Sequence, residues 1–458
     1  MKTFKLFEPQ PLKLKPPKEE PVLRVGIILE CDKKRQVFFT PQNDSEISDS
    51  TNQITLIANS RYSLENTTGN KLLLKDEAGD SLQTFSDKVI LVSKNEVVPA
   101  PQAGVRIENI VAGRGFHWQK EIPETFIGKL EFIASEDVIV VVNVIGIEFY
   151  SICALASEMS GVNSLPASGQ AQATAARSWA YVFLGSKYTD KPYQICNDDL
   201  SQRYQGTTHL SQNIIDMALE TRGDYLVLSD GTVSPSYYSK SCGGYVESTD
   251  NLFSTGYVDT CWDCEKENVK SFDLSKDEIF RDWLFNSKEE REKYFCGCIP
   301  DNELKKYLGA VDDKGEYFRW EYTVSSETII KKLRERCQID EAVSIKDIKM
   351  GRRGKSGRYL SMELTYISSS GSEETILLAD QFYIRAILHE SFLLSSAFVF
   401  DILRDGKGNI DSIHFNGAGW GHGGGFCQIG AVGMALAGHS YQEILNHYYP
   451  DTKIIKAY

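Results

Sequence analysis

Strand-like and helix-like segments occupy separate parts of this sequence. Residues 21–150 contain short runs rich in Val, Ile and other β-branched residues, divided by turn clusters of Gly, Asn and Asp. Two alanine-containing segments without internal proline follow, at 149–159 and 168–185, and both predict helices. Because the two kinds of segment are segregated rather than alternating, we expect an α+β fold with mostly antiparallel sheets and a few helices.

The length of 458 residues predicts more than one domain. Residues 1–20 are rich in proline and lysine and predict an extended N-terminal arm. A β-rich part is expected over 21–150, with an inserted strand segment near 40–100. The core is expected over 151–458, with a charged and irregular insertion near 250–315. Together these parts predict a multi-lobed molecule around a central groove.

The charge of the chain limits the class of partner. A net charge of −13 and a pI near 5.2 argue against a broad phosphate-binding surface, so no nucleic acid is expected. A neutral sugar polymer stays possible, because sugars are bound by hydrogen bonds and aromatic stacking. The sequence contains no apolar run long enough to predict a transmembrane segment, and its N-terminal residues predict no secretion signal.

A glycine-rich stretch near the C-terminus is the strongest sign of a specific site. It runs from Gly417 to Ala431, reads GAGWGHGGGFCQIGA, and contains seven glycines. Glycine loses much backbone entropy on folding, so such a run is expected only where the backbone needs positive φ or a close approach. His422 stands among these glycines and Gln428 follows them, and both are candidate hydrogen-bonding residues. The alternative for His422 is a purely structural role.

Three polar residues in the helical segments are further candidates. Glu158 ends the first helix, where a solvated cap is the ordinary role; burial beside apolar residues would instead favour proton donation. Gln172 and Arg177 lie on the second helix, where the ordinary role is a polar face. A guanidinium in an alanine-rich run needs acceptors if it is buried, and a carboxylate or a substrate oxygen would serve.

The cysteines leave two kinds of chemistry open. Cys242 could act as a nucleophile if paired with a histidine, but its context favours a structural thiol. Cys261 and Cys264, with Cys296 and Cys298, have spacings seen in zinc sites, although the interval between the pairs is long. We expect no cofactor, with zinc at these two pairs as the alternative.

Several segments together resemble the SpoIID family, the stage II sporulation proteins that include amidase enhancers. The resemblance spans roughly 21–458 and is loosest at 40–100 and 250–315. The most specific match runs for almost forty residues from the glycine-rich stretch. The segments that carry it read VLRVGIIL, VVNVIGIEFYSICALASEM, SGQAQATAARSWAY, SYYSKSCGGYVES, GRRGKSGRYLSMEL, AFVFDI and GAGWGHGGGFCQIGAVGMALAGHSYQEILNHYYPDTKI.

The resemblance implies a peptidoglycan lytic transglycosylase. Members of the family cleave the MurNAc–GlcNAc bond of glycan strands that lack stem peptides and leave 1,6-anhydroMurNAc ends. The catalytic glutamate of the family corresponds to Glu158, in Ser157-Glu158-Met159. The other residues expected to orient Glu158 or to bind the glycan are Gln172, Arg177, Tyr238, Ser239, Ser241, His422 and Gln428.

The sequence departs from the family pattern at two places. Gln170 stands where relatives commonly have lysine. The zinc-bearing segment of the family corresponds to CNDDLSQRYQG, where Cys196 is kept but Leu200 and Ser201 replace a histidine and a cysteine. Since neither replacement is a usable zinc ligand, we expect no zinc at that place.

Two other functions stay open. One is a non-catalytic peptidoglycan-binding protein that stimulates a cell-wall amidase, and the other is a zinc-dependent hydrolase using the cysteines. Peptidoglycan as substrate implies the cell envelope or periplasm, whereas the absence of a visible secretion signal keeps a cytoplasmic location open.

Overall fold

The described residues of the protein fold into two compact units. The structure is a computed structural model that describes residues 1–95, 99–116, 119–257, 259–265, 273–308 and 316–458. The N-terminal unit comprises Pro9–Pro235 with Lys453–Tyr458, and the C-terminal unit comprises Met1–Glu8 with Ser236–Thr452. Parts of the two expected insertions lie outside the described residues, namely 96–98, 258, 266–272 and 309–315.

Strands outnumber helices among the described residues. The strands are β1 Lys2–Phe4, β2 Val22–Ile28, β3 Gln36–Pro41, β4 Ser45–Ser48, β5 Gln53–Leu56, β6 Tyr62–Thr67, β7 Lys71–Lys75, β8 Ser81–Phe85, β9 Lys88–Ser93, β10 Val105–Ala112, β11 Lys120–Phe126, β12 Lys129–Ser135, β13 Val138–Gly146, β14 Ile195–Cys196, β15 Asp224–Leu228, β16 Tyr238–Ser239, β17 Tyr245–Val246, β18 Cys261–Trp262, β19 Arg319–Ser325, β20 Ala342–Met350, β21 Met362–Ser368, β22 Glu373–Leu378, β23 Phe398–Arg404, β24 Ile410–Ala418, β25 Phe426–Cys427 and β26 Thr452–Lys456. The α-helices are α1 Ile147–Met159, α2 Pro166–Val182, α3 Gln212–Leu219, α4 Thr249–Phe253, α5 Asp277–Glu289, α6 Asp301–Leu308, α7 Ser326–Cys337, α8 Gln381–Ile387, α9 Gln428–Leu436 and α10 Tyr441–Tyr448.

Two large sheets form the β-rich part of the N-terminal unit. One has the strand order β11-β10-β3-β6-β7-β8, and the other has the order β14-β2-β13-β12-β9-β4-β5. Neighbouring strands are antiparallel except β14 and β2. Residues of β3 alternate between buried and half-buried, as period-two side-chain placement requires, whereas β13 is buried along most of its length. Both patterns follow from runs of β-branched and aromatic residues.

Small residues let the three helices of this unit pack closely. α1 begins directly after β13, and α2 begins at Pro166, the first-turn position that suits proline. A Cβ added at Gly169 of α2 would lie 2.1 Å from Met217 Sδ on α3, so this glycine allows the close approach. Among the described residues, no helix has both the length and the apolarity needed to cross a bilayer.

A mixed sheet forms the centre of the C-terminal unit. Its strand order is β1-β22-β21-β20-β24-β19, and β23 also pairs with β24. β1 is parallel to β22, with Lys2 opposite Ile376, and the other pairs are antiparallel. Helices α7 and α8 contact this sheet and each other. The apolar core between them includes Ile329, Leu333, Ile345, Leu364, Ile384, Phe398 and Phe415.

The expected α+β fold with mostly antiparallel sheets is confirmed. The chain passes from the N-terminal to the C-terminal unit after Pro235. Strand β13 continues directly into α1, so the sheets and the first helices share one unit. Within the expected extended arm, Lys2–Phe4 forms strand β1 in the sheet of the C-terminal unit.

Candidate functional site

Glu158 lies in the last turn of α1 and is 8% exposed. Its Oε1 accepts a hydrogen bond from the backbone amide of Arg203 at 3.1 Å. The adjacent Ser157 Oγ accepts one from the Gln205 amide at 2.9 Å. The segment from Arg203 to Gln205 is therefore bonded along the end of the helix. It holds the carboxyl group of Glu158 while a small part of the residue stays accessible to solvent.

A buried aromatic pair positions that segment. Tyr204 is 0% exposed, and its ring stacks on Tyr150 with centroids 5.0 Å apart. Its hydroxyl donates to Asn143 Oδ1 at 2.5 Å, and the Tyr150 hydroxyl donates to Gln202 Oε1 at 2.8 Å. Buried polar groups need such partners, so these bonds fix the position of Arg203 next to Glu158.

Arg177 is buried and pairs with a carboxylate, which belongs to Glu148 rather than to Glu158. Its guanidinium is 0% exposed and donates to both carboxylate oxygens of Glu148, with Nη2 to Oε2 at 2.6 Å. Glu148 also accepts from the Gly223 amide at 3.0 Å and from the Tyr458 hydroxyl at 2.6 Å. The pair joins α1 to α2, which gives Arg177 a structural role. Gln172 is likewise 0% exposed on α2, so neither residue presents surface to a ligand.

Glu124 is a second buried carboxyl group beside the same segment. It lies on β11, is 1% exposed, and interacts with the side chain of Gln205. Desolvation raises the pKa of Glu124 to about 8, although the nearby Gln205 side chain and the charge of Arg114 act in the opposite direction. The backbone amide of Gln205 thus donates to Ser157, and its side chain lies near Glu124.

Part of the glycine-rich stretch packs against the backbone of the turn that contains Ser241 and Gly243. Ser241 and Trp420 exchange two backbone hydrogen bonds, at 2.9 and 2.8 Å. A Cβ added at Gly419 would lie 2.7 Å from the Ser241 carbonyl oxygen, and one added at Gly243 would lie 2.6 Å from the Gly419 nitrogen. These glycines allow two turns to pack against each other. The close contact between the two turns accounts for glycine at these two positions.

His422 is half-buried and held as a neutral imidazole. Desolvation, followed by the charges of Arg385 and Arg358, lowers the pKa of His422 to about 3, while a bond with the Tyr238 backbone opposes the shift. Its Nδ1 accepts from the Gly424 amide at 3.1 Å. Because this acceptor nitrogen carries no proton, the other ring nitrogen carries it. The residue is suited to hydrogen bonding rather than to donating a proton as imidazolium at neutral pH.

The other candidates of the C-terminal unit surround this loop. Tyr238 and Ser239 form β16, which pairs in parallel with β25, next to Gln428 at the start of α9. Tyr238 is half-buried, whereas Ser239, Ser241 and Gln428 are 6%, 0% and 1% exposed. The structure thus places all four with His422 in the C-terminal unit and gives three of them almost no accessible surface. Glu158, Gln172 and Arg177 belong to the N-terminal unit.

Cysteines and one aspartate form a potential metal centre in the C-terminal unit. The ligand atoms of Cys242, Asp263, Cys296 and Cys427 all lie within 4.8 Å of one another, and all four residues are buried. Of the two cysteine pairs predicted from spacing, only Cys296 belongs to this group, while Cys298 is exposed. Sequence spacing does not show which distant segments meet, so it could not group Cys242, Asp263 and Cys427 with Cys296.

The sequence has a recognised family match that includes Glu158. Residues 135–228 match the family model described as stage II sporulation protein, SpoIID. This match confirms the resemblance to the SpoIID family over these residues. Residues 254–425 match a domain of unknown function, DUF8618. An uncharacterized protein of Brachyspira hyodysenteriae is 25% identical over 337 residues, which cover 72% of each chain.

The SpoIID region contains α1, α2 and the Arg203–Gln205 segment. The match supports a cell-wall-related role, since the family is linked to cell-wall lytic activity. At the place of the family's zinc segment, Cys196 Sγ lies 3.2 Å from each of Tyr188 Oη, Asp198 Oδ1 and Ser201 Oγ. Leu200 is 39% exposed there.

Sequence reasoning missed Glu124 and Asp263. Both are carboxyl groups that the fold buries, and Glu124 reaches the SpoIID region through Gln205. A signal was present for Asp263, because it lies between two cysteines in Cys261-Trp262-Asp263-Cys264. For Glu124, the signal was weaker, namely one glutamate in the segment KEIPETF that becomes a strand.

Breaking the buried ion pair of the SpoIID region should destabilise the protein. Replacing Arg177 by Met leaves the Glu148 carboxylate buried without its guanidinium, which should cost about 3–5 kcal/mol in urea denaturation. Arg222→Met is the matched control, because its pair with Glu20 is largely exposed and should contribute about 1 kcal/mol or less. Equal losses for the two variants would contradict a structural role for Arg177.

Glu124 should make stability depend on pH. Between its ordinary pKa of 4.5 and its folded value of about 8, the folded protein keeps a proton that the unfolded chain loses. Stability of the wild type should therefore fall across this window, by an amount on the order of a few kcal/mol. Because glutamine cannot ionise, the melting temperature of Glu124→Gln relative to that of the wild type should rise from pH 5 to pH 8. Glu121→Gln, at the exposed start of the same strand, is the control, and a similar gain there would refute this account.

Two alanine substitutions can separate the steric cost of the close contact between the turns from the conformational cost of positive φ. Gly419 and Gly408 have φ of +77° and +79°, but a Cβ at Gly408 would meet nothing within 4 Å. Gly408→Ala should therefore cost about 1–2 kcal/mol from conformation alone. Gly419→Ala should cost about 1–3 kcal/mol more, because its new methyl group overlaps the Ser241 carbonyl. Chemical denaturation of both variants measures the difference, and equal costs would rule out the steric contribution.

Proposed function

We propose that the protein is a lytic transglycosylase acting on peptidoglycan. It cleaves the MurNAc–GlcNAc bond of glycan strands without stem peptides and leaves 1,6-anhydroMurNAc ends. The observation that carries the proposal is the position of Glu158, which lies inside the SpoIID match, is mostly buried and is bonded to the Arg203 amide. Glu158 is proposed as the general acid and base of the reaction.

One carboxyl group is sufficient for this reaction. Most glycosidases use two, one to protonate the leaving oxygen and one to activate water or attack the sugar. Here Glu158, as the acid, gives its proton to the glycosidic oxygen, and the bond from C1 of MurNAc to that oxygen breaks. The resulting carboxylate takes the proton of the MurNAc C6 hydroxyl while the C6 oxygen forms a bond to C1. The proton returns to Glu158, and no water is consumed.

The surroundings of Glu158 suit both halves of this cycle. The Arg203 amide donates to the carboxyl group and would stabilise the carboxylate after the first proton transfer, since hydrogen bonds to charged acceptors are stronger than those to neutral ones. An exposure of only 8% limits water around the group. Limited water favours attack by the sugar's own hydroxyl over hydrolysis.

Tyr238 and His422 are the proposed glycan contacts of the C-terminal unit. Both are half-buried, so part of each side chain can meet a ligand. The neutral imidazole and the phenol ring offer hydrogen bonding and stacking, which are the interactions that bind uncharged sugars. Ser239, Ser241 and Gln428 are buried and are proposed to act by holding β16 and the start of α9 in place.

Digestion of purified glycan strands without stem peptides tests the proposal. The wild type should release fragments with anhydro ends, identified by mass spectrometry as lighter by one water than hydrolysis products. Glu158→Gln should slow their release by about 10²–10⁴-fold, the range expected for loss of a general acid and base. Glu77→Gln, in an exposed turn of the same unit, should retain the wild-type rate.

Other outcomes would distinguish the alternatives. Fragments with ordinary reducing ends would indicate a hydrolase and refute the cyclisation. Binding of glycan without cleavage by either the wild type or Glu158→Gln would favour the non-catalytic partner of a cell-wall amidase. Thermal denaturation of Glu158→Gln must match that of the wild type, because a misfolded variant would lose activity for an unrelated reason.

A further inference from the structure

Four buried side chains from distant parts of the chain meet in the C-terminal unit. Cys242 follows β16, Asp263 follows β18, Cys296 precedes α6 and Cys427 ends β25. Their exposed fractions are 2%, 0%, 2% and 0%, and their ligand atoms lie within 4.8 Å of one another. Three thiols and a carboxyl group gathered in a buried position are donor types that bind transition-metal ions.

The spacing of the sulfur atoms fits a shared tetrahedral metal ion. Cys242 Sγ and Cys296 Sγ are 3.7 Å apart. Two sulfurs that each lie about 2.3 Å from a tetrahedral zinc ion are about 3.8 Å apart. A disulfide requires a separation of about 2.05 Å, and all ten cysteines are free thiols in the structure. The distance therefore agrees with bridging by a metal.

Residues around the four ligands orient them. Cys296 N–H donates to Asp263 Oδ2 at 2.8 Å, and the Tyr448 hydroxyl donates to Asp263 Oδ1 at 2.5 Å. The backbone amides of Cys242 and Gly430 donate to Cys427 Sγ at 3.2 and 3.3 Å. Metal ligands are ordinarily supported by hydrogen bonds of this kind, which fix their direction and stabilise their negative charge.

A buried arginine offsets the charge that such a centre would carry. Three thiolates and a carboxylate exceed the charge of a divalent ion, so the occupied site is anionic. Arg358 is 0% exposed, and its Nη2 donates to the Cys242 carbonyl oxygen at 3.0 Å. Its charge also interacts with Cys296 and Cys427. A buried cation beside the cluster is what an anionic metal centre requires.

We propose that Cys242, Asp263, Cys296 and Cys427 bind one structural zinc ion. Sulfur-rich tetrahedral ligand sets favour zinc among the common divalent ions, and four protein ligands leave no open position for a substrate. The ion joins the turn after β16, the turn after β18, the segment before α6 and the start of α9. The site lies outside the 135–228 match and is separate from Glu158, so it does not depend on the proposed reaction.

Metal analysis of the full-length protein tests this site. Protein purified without chelators should contain about one zinc ion per chain by elemental mass spectrometry. Cys296→Ser and Cys427→Ser should reduce the zinc content close to zero. Cys298→Ser is the matched control, because Cys298 is exposed and lies two residues from Cys296, and it should retain the zinc. Zinc loss in the control with retention in the other two variants would overturn the ligand assignment.

X-ray absorption at the zinc edge tests the site without relying on variants that could misfold. The wild type should show about three sulfur ligands near 2.3 Å and one oxygen ligand near 2.0–2.2 Å. A shell of four sulfurs, or one dominated by nitrogen, would refute the assignment of Asp263. A protein without zinc, or a Cys242–Cys296 disulfide found by peptide mapping, would refute the proposal as a whole.

Discussion

The C-terminal unit depends on two turns whose backbones lie closer together than any side chain would allow. Ser241 and Trp420 exchange hydrogen bonds across this contact, and Gly243 and Gly419 occupy its centre. The contact fixes where the chain segments that follow Ser241 and Trp420 begin. It therefore determines where Cys242 and Cys427 lie, and it orients the loop that carries His422. Glycines in this run, which resembles a ligand-binding loop, allow two turns of the C-terminal unit to pack against each other.

The N-terminal unit uses buried polar groups in a comparable way. Glu148 and Arg177 connect helices α1 and α2 through a buried ion pair. Tyr204, bonded to Asn143 and stacked on Tyr150, holds the segment that donates to Glu158. The helix that carries the proposed acid is thus held by specific hydrogen bonds at both ends. Such bonds define position more sharply than apolar packing does.

Much of this arrangement could be predicted from local patterns, and the remainder depends on long-range contacts. Segregated strand and helix signals predicted the fold class, and the helical segments at 149–159 and 168–185 correspond to α1 and α2. The partner of Arg177 could not be predicted, because many acceptors would satisfy a buried guanidinium. The cysteine cluster was missed for the same reason. Cys242 and Cys427 are 185 residues apart, so their spacing carries no information about their contact.

The order of the chain has a consequence for folding during synthesis. Tyr458 donates to Glu148, and Lys453–Tyr458 belongs to the N-terminal unit although it follows the C-terminal unit in the chain. A ribosome therefore makes Pro9–Pro235 long before the residues that complete the surroundings of α1. Until then the Glu148 carboxylate lacks one of its donors, and the nascent unit is less stable than the finished one. The helix that carries Glu158 thus gains this hydrogen bond only after the C-terminal unit has been translated.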